Sequence, residues 1–139
     1  MSLKIRPELS TKNKYWISKH RYYELKHFCL QYGDWKKKHA DLLDLSISSY
    51  SFDSSPVRYR YTDATAKYAM QRAHYAEKIK LVEKAAFEAD EHLYYYILKA
   101  VTEDLSYAYL KTTMNIPCGR DMYYDRYRRF FWLLSKSRG

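Results

Sequence analysis

Arginine and tyrosine residues crowd a short stretch near the end of the 139-residue sequence. Arg120, Tyr124, Arg128 and Arg129 all lie within GRDMYYDRYRR (119–129). An arginine guanidinium binds phosphate or guanine through paired hydrogen bonds, and a tyrosine hydroxyl commonly contacts phosphate. These four residues are therefore candidates for direct contacts with DNA.

The surrounding sequence predicts two helices joined by a tight turn. SYAYLKTTM (106–114) is typical of a short helix, NIP (115–117) of a turn, and residues 119–135 of a longer helix. Asn115 suits the turn because asparagine tolerates a left-handed backbone. Such a helix-turn-helix can place its second helix in the major groove of DNA. The first helix then supplies three residues to position the DNA backbone: Lys111, Thr112 and Thr113.

The second predicted helix has one continuous apolar side. Its members recur every three or four residues, which is the period of a helix face, and they are Tyr123, Tyr127, Phe130 and Leu134. We expect this stripe to be core. The opposite arc carries Asp121 and Asp125, which are compatible with cytosine readout or with orienting Arg128 and Arg129 one turn along.

Positive charge is concentrated at the two ends of the chain. The formal net charge is +9. Residues 1–39 hold ten Lys and Arg against three acids, residues 40–110 hold eight against eleven, and residues 111–139 hold seven against two. Such segregation favours a polyanionic partner. Four lysines are auxiliary candidates for phosphate contacts, although a lysine run also serves as a solvated face: Lys36, Lys37, Lys38 and Lys136.

The composition favours an all-α fold. Only 3 Gly and 3 Pro are present, too few turn residues for a many-stranded sandwich or barrel. We expect a helical bundle with a C-terminal helix-turn-helix. Its segments are a basic N-terminal arm and helical hairpin (1–45), a Ser-rich linker or loop (46–62), and a helical unit ending in the helix-turn-helix (63–139). Within the hairpin, Gly33 is expected to end the first helix and Asp34 to cap the second.

The side chains needed for catalysis or metal binding are scattered. The five His and two Cys form no metal-ligating or catalytic motif, and no glycine-rich phosphate loop occurs. We therefore expect no enzymatic activity, no cofactor and no metal. The chain also has no run of 18 apolar residues and no apolar leader, which predicts a cytoplasmic protein without a membrane partner.

Three stretches together resemble a known group of phage proteins. They are KYWISKHRYYELKHFCLQY (14–32), the block from DATAKYAM to AVTED (63–104), and SYAYLKTTMNIPCGRDMYYDRYRRFFWLL (106–134). The chain resembles ArpU/RinA-like late-transcription regulators of phages and prophages of Gram-positive bacteria, which look like the promoter-binding C-terminal region of sigma factors. The resemblance implies that 106–114 is the supporting helix, 115–117 the turn and 119–129 the start of the reading helix.

Two functions are consistent with these features. The first is a sequence-specific transcription regulator of phage or prophage origin that binds double-stranded DNA with the helix starting near Gly119. The second is a non-catalytic interaction module that modulates a host enzyme such as RNA polymerase, because aromatic residues and arginine are enriched in protein interfaces. The DNA target, activation or repression, the oligomeric state and the ligand of the N-terminal hairpin stay open.

Overall fold

The computed structural model describes residues 12–51 and 63–139, and all regular elements within those ranges are helices. The all-α prediction is therefore confirmed for the described residues. In chain order the helices are α1 (Lys19–Leu30), α2 (Tyr32–Ser51), α3 (Asp63–Ala89), α4 (Tyr94–Glu103), α5 (Tyr107–Thr112) and α6 (Arg120–Arg138). None of these described helices is both long and apolar enough to cross a membrane.

The chain forms two compact units whose limits differ from the predicted segments. The first unit ends at Gln31 and resumes with Leu81–Gly139, and the second unit is Tyr32–Lys80. The first boundary therefore falls between α1 and α2, inside the segment 1–45 that was predicted to be one hairpin. The reason is packing: the main partners of α1 are α4 and α6, at the other end of the sequence.

Helix boundaries near Gly33 also differ from the prediction. Gln31 is the C-cap of α1, and its backbone N–H donates to the carbonyl groups of Phe28 and Cys29. The next helix begins at once with Tyr32, so Gly33 lies in the first turn of α2 and Asp34 is not its cap. An acidic residue in a first turn still favours the helix dipole.

The predicted arm and linker fall partly outside the described residues. Residues 1–11 and 52–62 lie outside them, and so does the stretch VRYRY (57–61). Residues 46–51 were predicted to start the linker, but they continue α2 to Ser51. Serine is only mildly unfavourable in a helix, so a Ser-rich run can extend a helix that is already formed.

The core of the first unit lies between α1, α4 and α6, and it confirms the apolar stripe of α6. Tyr123 is 1% exposed, and Phe130, Phe131 and Leu134 are fully buried. These side chains pack in the part of the unit where α1 meets α6 and α4 meets α6. The matching buried residues of the other two helices are Tyr22, Leu25, Phe28 and Cys29 in α1 and Ile97, Ala100 and Val101 in α4.

A pair of tyrosine hydroxyls joins α1 to α6. The hydroxyl oxygens of Tyr22 and Tyr127 are 2.6 Å apart and share one hydrogen bond. Tyr127 is half-buried rather than fully buried. Burial and the neighbouring Tyr22 hydroxyl raise the pKa of Tyr127 well above its ordinary value. The pair is therefore a neutral hydrogen bond at any physiological pH.

The segment before α6 has the predicted turn features in a longer loop. Asn115 adopts a left-handed backbone, with φ of 53°. Ile116 is 2% exposed, and its N–H donates to the carbonyl of Leu110 over 3.0 Å. Ser106 caps α5, but this helix ends at Thr112, so residues 113–119 separate α5 from α6. Since α6 packs mainly on α1 and α4, the helix-turn-helix stays a prediction.

An ion pair fixes the start of α4 against α6. Asp90 accepts hydrogen bonds from the backbone N–H groups of His92 (2.9 Å) and Leu93 (3.0 Å), and from the Nε of Arg126 (2.9 Å). Burial opposes ionisation of this carboxyl, but the hydrogen bonds outweigh it and hold the pKa of Asp90 below its ordinary value. The ionised form is thus favoured in the folded state.

We expect Asp90→Asn to destabilise the protein at neutral pH by about 1–3 kcal/mol, since it removes the charge from the part-buried carboxylate that joins the start of α4 to Arg126 and leaves Arg126 only Asp125 as a charged partner. A lowered folded-state pKa gives stability that is present above the unfolded-state pKa and is lost as pH falls through the folded-state pKa. The difference between variant and wild type should therefore shrink below about pH 4. Urea unfolding at a series of pH values measures this. Glu91→Gln, an exposed neighbour, is the control for loss of one charge.

Candidate nucleic-acid interface

A row of alternating cations and aromatic rings runs along α6. Its members are spaced four residues apart, and we call them the α6 row: Arg120, Tyr124, Arg128, Trp132 and Lys136. Four residues rise ~6 Å along a helix, so the row is about 24 Å long. Arg120 and Lys136 are exposed, and the three residues between them are half-exposed. Four of the five were sequence candidates, and Trp132 was not.

The two ends of the α6 row are cation–π pairs. The guanidinium carbon of Arg120 lies 5.7 Å from the centre of the Tyr124 ring. The ammonium nitrogen of Lys136 lies 4.0 Å from the centre of the Trp132 ring. An exposed cation over a ring shows that this ring face is on the solvent side of the helix. Each pair therefore presents both a positive charge and an aromatic face to a ligand.

Cations of the first unit divide into those that form ion pairs and those that do not. Arg21, Lys26, Lys84, Lys99, Arg126 and Arg138 lie within ion-pair distance of a carboxylate. No such pair exists, among the residues that the structure describes, for the sequence candidates Lys111, Arg120, Arg128, Arg129 and Lys136. The candidate cations are thus available to an external anion without breaking an internal pair.

Asp125 does not take one of the two roles predicted for the acids of α6, the orienting of arginines one turn along, and their role in cytosine readout stays a prediction. Asp125 pairs with the adjacent Arg126, which in turn holds Asp90. It therefore does not orient Arg128 or Arg129 one turn further along. The residues that follow carry no carboxylate side chain, since RYRRFFWLLSKSRG (126–139) contains five Arg and Lys and no Asp or Glu. The C-terminal half of α6 is consequently its more basic half.

Three further candidates lie around the end of α5. Lys111, Thr112 and Thr113 are all exposed. The Thr112 hydroxyl donates to the carbonyl of Ala108 over 2.8 Å, one turn back in the same helix. The Lys111 ammonium is close enough to Cys118 to lower its pKa, although burial is the larger effect and raises the pKa of that thiol. All three candidates are therefore accessible to a ligand around the end of α5.

Tyr124 belongs to a cluster of rings as well as to the α6 row. Its ring centre lies 5.1 Å from that of Tyr123, 6.2 Å from Tyr127 and 6.3 Å from Tyr107. Edge and tilted contacts of this kind hold aromatic rings in a fixed orientation. The half-exposed Tyr124 is therefore supported from behind by the core stripe.

The lysine run of α2 belongs to the second unit and is described within it alone. Lys36, Lys37 and Lys38 are exposed. Lys36 lies 5.4 Å from the ring centre of Tyr32, and Lys38 lies 5.7 Å from that of Tyr75. These cations have no carboxylate partner within the described residues. The lysines predicted to make auxiliary phosphate contacts are therefore accessible. Lys78, which lies beside Trp35, is a further cation that the sequence did not indicate.

The segment before α1 contributes an aromatic residue that sequence reasoning missed. The ring centre of Tyr15 lies 5.4 Å from that of Trp132, with an angle of 58° between the planes. Lys14 places its ammonium 5.0 Å from the Tyr15 ring centre. The four-residue spacing from Arg128 to Lys136 was the one available signal for Trp132, whereas nothing in the sequence pairs it with Tyr15.

The candidate interface is described from this chain's own residues: cations without ion pairs, rings beside them and the apolar stripe behind. The resemblance to phage late-transcription regulators stays a prediction. No protein-family model matches the sequence, and comparisons with curated proteins and with solved structures give no match.

Proposed function

We propose that the protein is a DNA-binding transcription regulator that contacts duplex DNA with the outward side of α6. One observation carries the proposal: the cations chosen as DNA contacts are without ion pairs among the described residues, while Arg126 on the same helix is paired internally. An arginine that has no ion pair within the fold is suited to pair with phosphate or a base edge.

The packing of α6 against the rest of the first unit supports the same proposal. A helix that enters the major groove must present one side while its other side is fixed to a scaffold. The buried stripe of Tyr123, Phe130 and Leu134 fixes the rotation of α6 against α1 and α4. Arg128 and Arg129 therefore project from a rigid helix, which limits the ordering cost of binding.

A phage or prophage role is the regulatory context that we propose for this binding. It is supported by the resemblance in residues 14–32, 63–104 and 106–134 to late-transcription regulators. The target is then a promoter region, and a fragment from the protein's own locus is the first one to test.

A salt titration of duplex binding tests the proposal. With Lys111 and the four cations of α6 on phosphates, log K should fall with log salt with a slope of about −4 to −5. Fluorescence anisotropy with a labelled promoter fragment of the protein's own locus, and a scrambled fragment of equal length as control, gives both slope and specificity. Absence of binding to either duplex at about 50 mM salt would overturn the proposal.

A second function, docking on a protein, is favoured by exposed apolar side chains of the second unit. Leu45 is 47% exposed, Ile47 57% and Met70 75%. Met70 also lines a surface groove of about 550 Å³ together with Lys38, Leu42 and Tyr75. Flexible Met side chains in a groove are common at protein-binding surfaces. Host RNA polymerase is the partner to test: a stoichiometric complex that survives nuclease treatment, without duplex binding, selects this function.

A further inference from the structure

We propose that Lys14, Tyr15, Trp132 and Lys136 form a stacking site for an unpaired nucleotide of a single nucleic-acid strand. The half-exposed ring of Trp132 is the stacking face, the buried ring of Tyr15 supports it, and two ammonium groups lie beside them; neither ring was a DNA-contact candidate from the sequence. It shares Lys136 with the proposed duplex contacts but does not require a duplex, since a free single strand can occupy it.

The geometry of the four side chains is that of a base-and-phosphate site. The two rings lie 5.4 Å apart, and each carries a lysine on one face, at 5.0 Å for Lys14 over Tyr15 and 4.0 Å for Lys136 over Trp132. Single-strand sites pair aromatic platforms for bases with nearby cations for the backbone. In this site a cation already lies beside a ring in the segment before α1, with Lys14 and Tyr15, and in α6, with Lys136 and Trp132.

Lys136 is well placed to exchange its position with a base. It is exposed, and the cation–π contact of an exposed lysine is weaker than the stacking of a base on an aromatic ring. A base on the solvent-side face of Trp132 would displace the ammonium from the ring. The flexible lysine side chain could then follow the phosphate attached to that base.

The platform is held in place before the strand arrives. Tyr15 is 9% exposed, and its backbone N–H donates to the side-chain oxygen of Asn13 over 2.8 Å. The N–H of Trp16 donates to the Asn13 carbonyl over 3.0 Å, and Ile17 is 7% exposed. This short segment is therefore anchored on both sides of Tyr15, and little conformational freedom is lost on binding.

Charge around the site favours a polyanion, and the ring faces favour unpaired bases. The flanking sequences KNKYWIS (12–18) and RYRRFFWLLSKSRG (126–139) contain no Asp or Glu. Paired bases are stacked within a duplex and offer their edges in the grooves, so away from the duplex ends a ring face at the surface can be stacked only by an unpaired base. Single-stranded DNA and RNA share this chemistry of base face and phosphate.

Anisotropy titrations with labelled dT12, U12 and a blunt duplex test the site. Trp132→Ala should weaken single-strand binding by roughly 5- to 100-fold, and Trp132→Phe, which keeps a ring, should retain most of it. Tyr95→Ala, an exposed aromatic on α4, is the matched control and should bind as wild type. The duplex titration, carried out on the wild type, reports on the proposed function separately.

The outcomes separate cleanly. The site is supported if Trp132→Ala loses single-strand affinity and Trp132→Phe retains it. The relative affinities for dT12 and U12 then show whether the strand is DNA, RNA or either. If wild-type protein binds neither oligonucleotide, or if both Trp132 variants bind them as wild type does, the site is overturned whatever the duplex result. Thermal unfolding of each variant confirms folding. If the alanine variant fails to fold, the double variant Lys14→Gln with Lys136→Gln, which changes two exposed side chains, replaces it, and wild-type single-strand affinity in that variant overturns the site.

Discussion

Replacing Arg128 and Arg129 together with glutamine is expected to weaken duplex binding on the order of 100-fold at about 100 mM salt, and to reduce the salt slope by about 2. Neither side chain has an ion pair within the described residues, so the change removes external contacts and leaves internal ones intact. Glutamine keeps the length and polarity needed on this half-exposed part of α6. Anisotropy titrations at several salt concentrations measure both quantities.

The matched control removes the same charge elsewhere in the first unit. Lys84 and Lys99 are each paired with a glutamate four residues along their own helix, at 3.9 Å and 2.8 Å. The double variant Lys84→Gln with Lys99→Gln therefore has the same net charge as the arginine variant. If both double variants lose affinity equally, binding follows overall charge and the assignment to α6 is wrong.

Phe131→Ala should have the largest effect on stability, lowering the free energy of unfolding by about 3–5 kcal/mol. Phe131 is fully buried, and its ring centre lies 5.0 Å from those of Tyr22 and Tyr127 and 4.9 Å from that of Phe130. Truncation leaves a cavity at the point where α6 meets α1, and the neighbouring rings are too rigid to fill it. Urea unfolding followed by circular dichroism measures the loss.

Met122→Ala is the control for that experiment, because it truncates a large side chain of the same helix that is 44% exposed. Its effect should stay below about 1 kcal/mol. A comparable loss in both variants would show that burial of the side chain does not determine the result, since alanine favours a helix in both cases, and would contradict the burial argument.

The parts of the fold that could be predicted from sequence depend on short-range periodicity. Tyr123, Phe130 and Leu134 recur with the helical period, and they are buried as a stripe. Asn115 was expected in a left-handed turn because few other residues tolerate that backbone, and its φ is positive. In both cases the physical cause lies within a few residues of the position concerned.

Features that depend on distant partners could not be predicted in the same way. No role was predicted for Arg126, and its partner Asp90 lies 36 residues earlier. The ring contact that singles out Trp132 is with Tyr15, which lies near the other end of the sequence. Gly33 was expected to end a helix, yet glycine is also tolerated in a first turn, and the position of the α1 end follows from where α1 packs.

The hydroxyl pair of Tyr22 and Tyr127 also sets the axial register of α6. If α6 slid along α1 by one residue, the part-buried hydrogen bond between the two hydroxyls would be lost, at a cost of about 0.5–1.5 kcal/mol. Apolar stripes alone tolerate such slippage more readily, because one ring can substitute for another. The pair therefore fixes the position of the α6 row relative to α1. A ligand then meets one arrangement of cations and rings.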